Sequence, residues 1–309
     1  MTISARPSLT TRVSAYLHGH PGMKLALLLS IPVAWLVGLY GGSLFSLLLN
    51  SFYRLDPFSG TVEEVFTLDT WKSLFTESNF FITLRTVSMA AAVTVGAIVV
   101  AFPLAYYMGR YASSRVKMVL YLAVLLPLWS SYLVRVYSWK LILAKEGIIF
   151  WFFDRVGLGG LIDLILRLSV VGGPSLYASM IGQWMVFLYI WLPFMILPVQ
   201  ASVERIPGSY YDASADLGAG PGTTFRRVVW PLVLPGVIAG SIFTFSLTLG
   251  DYIIPGIIGD SSPFIGLAIY SYQGTSGNLP LAAAFSFVPL VIMIGYLVLV
   301  RRSGALENL

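Results

Sequence analysis

Apolar residues in this chain come in long runs separated by short polar intervals. The runs cover residues 25–49, 82–108, 119–134 with an aromatic continuation to about 143, 176–199, 232–258 and 281–300. Each approaches or exceeds the roughly 20 apolar residues a helix needs to cross a bilayer. The pattern predicts an all-α polytopic membrane protein with about six transmembrane helices. The first run is too long for a signal-peptide core, and no small-x-small pattern closes it, so it reads as an uncleaved helix. The intervals carry the polar chemistry. Residues 54–79 hold Asp56, Glu63, Glu64, Asp69 and Glu77. A short loop holds Arg110, Arg115 and Lys117. Within 145–173, residues 161–170 read as an amphipathic helix in the membrane interface, with Asp163 and Arg167 four apart.

The interval 209–235 is built differently, like a short docked helix. Pro207 supplies a preset φ; Ser209 is placed to cap, and Asp212 sits three residues on, where a capping-box acid belongs. Ala213 and Ala215 favour helix. Gly218 is suited to the left-handed end of a helix. Gly220, Pro221 and Gly222 then force a turn, and Thr223 is placed to cap a second short helix bearing Arg226 and Arg227. On these residues alone the stretch is also compatible with an ordinary well-capped loop.

Composition sharpens the picture. Of 309 residues, 57% are hydrophobic and 11% charged, against roughly 25% charged in soluble domains; mean hydropathy is +0.82. The chain has no cysteine, which excludes disulfides and thiolate chemistry. His18 and His20 read as solvated residues of the N-terminal tail. The net charge of +5 does not point to nucleic acid, because topology accounts for it. With both termini inside, Arg6, Arg12, Lys24, Arg110, Arg115, Lys117, Arg205, Arg226, Arg227, Arg301 and Arg302 all face the cytoplasm, and residues 259–280 carry no Lys or Arg. The basic residues Lys140, Lys145, Arg155 and Arg167 of the third external loop run against this trend. No Gly-x-x-x-x-Gly-Lys-Ser/Thr loop occurs, so the chain does not bind ATP by a P-loop.

Ionisable groups inside apolar runs are functional candidates. Asp251 lies between Gly250 and Tyr252 in the fifth run, and Arg135 lies in the third, among Trp129, Tyr132, Tyr137 and Trp139. Gly250 and Pro255 mark a break of the kind that exposes backbone to a cavity. Aromatic faces beside an acid favour an organic cation. The plainer alternatives are that Arg135 and Asp251 neutralise each other, that Arg135 reaches for the interface, or that the aromatic residues form an interfacial belt.

The order Asp212-Ala213-Ser214, Gly218, Val228 and Pro231 resembles the EAA loop of type I ABC importer permeases, with Asp for Glu, Ser for the second Ala and Trp230 before the proline. The match extends to Leu126-Pro127-Leu128-Trp129, to Leu133 through Trp139, and to Leu249-Gly250-Asp251-Tyr252, which look like spermidine/putrescine permeases. The wider family also includes permeases for iron carriers, thiamine and phosphonates. The resemblance implies a cytoplasmic tail at 1–24 and a permease domain at 25–309, in a bacterial inner membrane with both termini cytoplasmic. A coupling loop at 201–230 would place Ser209, Asp212, Ala213, Ser214, Gly218 and Arg226 against an ATPase. Implied partners are two ATPase subunits that bind ATP and Mg, a second permease subunit and an external binding protein. Asp251, Trp129, Tyr132, Arg135 and Tyr252 are the candidate pathway residues. An ATP-independent transporter or a membrane anchor would share the hydropathy but leave the EAA-like loop or Asp251 without a purpose.

Overall fold

A computed structural model of the chain describes residues 19–260 and 262–302. Arg6, Arg12, His18 and most of the expected N-terminal tail lie outside the described residues.

Among the described residues five helices are long and apolar enough to cross a membrane: α1 (Gly22–Asn50), α3 (Glu77–Arg110), α8 (Met180–Glu204), α10 (Pro221–Gly250) and α13 (Leu279–Arg301). Between α1 and α3 come a two-stranded antiparallel hairpin, Arg54–Leu55 with Val62–Glu63, and the short α2 (Asp69–Ser73). The sixth crossing is a bent pair, α4 (Ser114–Trp129) and α5 (Tyr132–Ile142), whose axes meet at 99°. The third apolar run is therefore not one straight span. Ser130 takes an extended backbone, φ −80° and ψ 152°, and the helix restarts beyond Ser131.

The core is the triple contact of α3, α8 and α10. Ala97, Ala101 and Ala105 recur every four residues on α3 and are fully buried against Met195, Ile196 and Val199 of α8 and Val233 and Val237 of α10. Small side chains let helix backbones approach, which is how helices associate where lipid tails compete for apolar contacts. Two glycines mark the closest approach. A Cβ on Gly236 would stand 2.5 Å from the Pro198 carbonyl oxygen, and one on Gly240 would stand 2.6 Å from Met195 Sδ. By contrast α1 meets the rest of the chain mainly through its second half, against α13. Its Leu25, Leu28, Ile31, Trp35 and Leu36 are exposed, as a lipid-facing or partner-facing helix requires.

Several boundaries move. The second span begins at Glu77 rather than 82. The fifth begins at Pro221 rather than 232, because Pro221 occupies the first turn, where its missing N–H costs nothing. This helix then passes through Pro231 by widening into a π-turn over Phe225–Val229. Proline removes a helical N–H and crowds the preceding turn, and a π-turn relieves the mismatch. At its other end α10 stops at Gly250 instead of continuing to 258. Asp251 is extended at φ −72° and ψ 131°, and the short α11 (Ile253–Ile257) follows.

Residues 259–280, read from sequence as an external loop, contain a helix buried at its start, α12 (Ile265–Gly274). It is tied to α3 by the Ile265 N–H donating to Thr86 Oγ1 at 3.0 Å and by the Tyr272 hydroxyl donating to Asn79 Oδ1 at 3.2 Å. At ten residues it is too short to span. The 145–173 interval folds as α6 (Ile148–Arg155) and α7 (Gly159–Leu166). The latter starts and ends earlier than the expected 161–170 and buries only Ile162.

Candidate functional site

Two groups of sequence-marked residues have distinct surroundings. The first surrounds α9 (Gly208–Asp216). Its cap is Pro207, at φ −61° and ψ 144°, and no side chain caps it. Ser209 therefore lies inside the first turn, and the expected Ser209–Asp212 capping box does not form. Pro207 already supplies the extended conformation a cap needs, and its carbonyl accepts the Tyr210 N–H at 3.1 Å. Gly218 does end the helix in the left-handed region, φ +76°. The Ala219 N–H closes the turn on the Ser214 carbonyl at 3.1 Å. Gly220, not Thr223, caps the next helix, its carbonyl accepting the Thr223 and Thr224 N–H groups at 3.0 Å.

Ser209, Asp212, Ala213, Gly218 and Arg226 are all exposed, while Ser214 faces inward. Its hydroxyl lies 2.9 Å from Thr224 Oγ1 and pins α9 to the base of α10. A second tie comes from the end of α3, where the Arg110 guanidinium sits 4.2 Å from the Tyr211 ring centre. Beneath it Phe102, Phe225 and Trp230 form an aromatic cluster, with Phe102 edge-on to Phe225 at 5.5 Å. Close by in the chain, Lys117 of α4 pairs with Glu204 at the end of α8 at 2.5 Å. These ties were not legible in sequence: Ser214 and Thr224 are ten apart across two breakers, and Arg110 ends a span whereas Tyr211 lies in the short helix α9.

The second group gathers where α4–α5 bends and α10 stops. The Tyr132 hydroxyl donates to Asp251 Oδ2. Asp251 Oδ1 accepts the backbone N–H groups of Ile253 at 2.8 Å and Ile254 at 2.9 Å, satisfying the otherwise orphaned donors that open α11. A pocket of about 360 Å³ lies beside the carboxylate, lined by Tyr132, Trp191, Ser246, Gly250, Asp251 and Tyr252, among others. The Tyr132 ring stacks on Trp191 at 5.9 Å and 20°, and Tyr252 stacks on Tyr270 at 5.0 Å. The wall behind the break is tight: a Cβ on Gly266 of α12 would stand 2.6 Å from the carbonyl oxygens of Gly250 and Asp251.

Tyr132, Asp251 and Tyr252 thus line one pocket. Trp129 and Arg135 are not among its lining residues. Trp129 ends α4 and is 82% exposed, because the bend after it turns it outward. Arg135 does not neutralise Asp251: no ion pair joins them among the described residues. Its guanidinium carbon lies 5.8 Å from the Tyr132 ring centre, and its Nε is buried without a hydrogen-bond partner. Trp191 stood in sequence only among the aromatics of the fourth span, and Ser246, one turn before Gly250, is a lining residue that sequence reading passed over.

The arrangement is a bundle of membrane-length helices with a short polar helix docked at the base of α10. The chain belongs to the family of binding-protein-dependent transport system inner membrane components, whose model matches residues 97–304. It is 50% identical over 305 residues to the inner membrane ABC transporter permease protein YdcU of Escherichia coli (strain K12), covering 99% of this chain and 97% of that one. It is 30% identical to the spermidine/putrescine transport system permease protein PotB of the same organism, covering 89% and 96%. Its fold matches a chain in the crystal structure of a bacterial alginate ABC transporter in complex with alginate pentasaccharide-bound periplasmic protein, with TM-score 0.69, 14% identity and coverage of 93% and 95%. The chain is a type I ABC importer permease subunit, a multi-pass inner membrane protein and not an enzyme.

Proposed function

We propose that this permease carries a small organic cation, a polyamine of the spermidine/putrescine class, across the inner membrane. The observation that supports this most is that Asp251 lines a pocket together with Tyr132, Trp191 and Tyr252. A carboxylate attracts an ammonium group, and each aromatic face adds about 0.5–2 kcal/mol for a cation. The likeness to PotB over most of the chain points the same way. A 30% identical relative named for molybdenum transport, ModB of Mycobacterium bovis, covers 68% of this chain. Transport of an anion is disfavoured here, since Asp251 would repel it.

In this reading residues 25–309 form the permease domain, with the coupling loop at 201–230 and the tail at 1–24 in the cytoplasm, as are both termini. Of two ATPase subunits that hold ATP and Mg, one seats on Asp212, Ala213, Gly218 and Arg226, with Ser209 beside them and Ser214 holding the helix in place. A second permease subunit completes the pathway, and an external binding protein delivers the cation. ATP binding closes the ATPase pair, and α9 carries that motion to the spans, which open outward and reopen inward after hydrolysis. The cation biases this cycle only through unequal binding to the two states.

The test is uptake of labelled spermidine into liposomes holding the full assembly, with and without internal ATP. ATP-dependent uptake supports the reading. ATP hydrolysis stimulated by the loaded binding protein without spermidine uptake rejects the polyamine and retains the importer.

A further inference from the structure

Tyr132 and Asp251 occupy the two places where transmembrane helix is interrupted, the bend between α4 and α5 and the stop after α10. They are 119 residues apart in sequence, and their hydrogen bond fastens one break to the other. The carboxylate divides its work. Oδ1 is held by two backbone N–H groups of α11, and Oδ2 by the Tyr132 hydroxyl. Losing the first pair would unravel the start of α11. Losing the second would leave α11 capped and Asp251 in place, freed only from α5. Tyr132 and Asp251 both line the pocket.

From this geometry we infer that the Tyr132–Asp251 hydrogen bond is a ligand-sensitive latch, opened when an ammonium group in the pocket takes Asp251 Oδ2 from the Tyr132 hydroxyl. An ammonium donor outcompetes a phenol for a carboxylate because the bond is charge-assisted on both sides. Arg135 makes the exchange directional. It stands one turn beyond Tyr132 on α5, with its guanidinium on the Tyr132 ring and its Nε without a partner. A second positive charge arriving at Tyr132 repels it, and α5 moves away from α11. Tight packing of Gly266 behind Asp251 makes the α10–α11 break the fixed side and α5 the mobile one. The latch rests on the reading of this pocket as part of the transport pathway.

The chain has no cysteine, so spin labels can be placed on it at chosen sites before it is assembled with its partners. Val134 on α5 and Gln273 on α12 are exposed and lie outside the pocket. Val134→Cys with Gln273→Cys gives a distance across the latch, read by pulsed electron paramagnetic resonance in the reconstituted full assembly. Spermidine is expected to lengthen that distance. Tyr132→Phe keeps the ring but removes the hydroxyl, and is expected to show the lengthened distance with no ligand. Its ligand-free ATP hydrolysis should rise about fivefold, the shift that loss of one hydrogen bond of ordinary net strength produces. A Tyr132→Phe assembly with the wild-type distance and wild-type basal hydrolysis overturns the latch. If Tyr132→Phe behaves as expected while spermidine is taken up but leaves the wild-type distance unchanged, release of the bond by an ammonium group is overturned and the polyamine assignment stands.

Discussion

Replacing Gly218 by alanine isolates the cost of a single backbone conformation. Gly218 closes α9 at φ +76°, and a Cβ built there meets nothing within 4 Å. Alanine therefore introduces no clash within this chain, only the left-handed penalty of about 1–2 kcal/mol. That energy shifts the balance between the closed and the frayed turn by roughly 5- to 30-fold. Asparagine tolerates the left-handed region through local hydrogen bonding, so Gly218→Asn should fall between glycine and alanine. The assay is the ratio of substrate uptake to ATP hydrolysed in liposomes containing the full assembly. We expect membrane insertion to be unchanged and the ratio to fall in the order Gly, Asn, Ala, with Gly218→Asp lowest where a charge meets the ATPase. If Gly218→Ala transports with the wild-type ratio, the turn geometry has no bearing on coupling. If Asn is as damaging as Ala, side-chain bulk against the ATPase, rather than backbone strain, is the cause.

Other substitutions probe the remaining contacts. Ser214→Ala removes the hydroxyl facing Thr224 and should cost about 1 kcal/mol locally, seen as faster proteolysis at residues 217–220 in the isolated permease. Arg110→Gln removes the cation over Tyr211, worth about 0.5–2 kcal/mol, and should loosen α9 by the same measure; unchanged cleavage would refute the tie. Asp251→Asn should weaken spermidine-dependent stimulation of ATP hydrolysis by tenfold or more, since a charge-assisted bond of about 1.5–3 kcal/mol is lost; wild-type affinity would exclude Asp251 from the pathway. Gly236→Val drives a branched side chain toward the Pro198 carbonyl. Overpacking of this kind costs about 1–3 kcal/mol, so the detergent-solubilised protein should melt earlier.

The spans were legible because a lipid-crossing helix must be long and apolar, and both properties are written into composition. What escaped was the geometry inside those runs. Ser130 and Ser131 bend a span by 99°, yet two serines barely dent an apolar window. The helix at Ile265–Gly274 lacks charge and is too short to register as a span, so it passed as loop. Local signals at α9 were read correctly in kind but shifted in place: Gly218 does end the helix, whereas Pro207 displaces Ser209 as its cap. At the pocket, Asp251 announced itself as an acid in an apolar run. Its partner was fixed only by folding, which brought Tyr132 to it in place of Arg135.

The unbroken course of α10 has a mechanical corollary. It is a single rod of 30 residues, about 45 Å long at 1.5 Å per residue, with the α9 contact at one end and Asp251 just past the other. Tilting such a rod by roughly 5° about its base displaces its tip by about 4 Å, more than the reach of a hydrogen bond. A modest rocking at the Ser214–Thr224 joint is thus amplified into making or breaking contacts at the far side. The π-turn at Phe225–Val229 sits at the foot of this rod, where extra bending compliance would absorb the stroke and extra stiffness would pass it on.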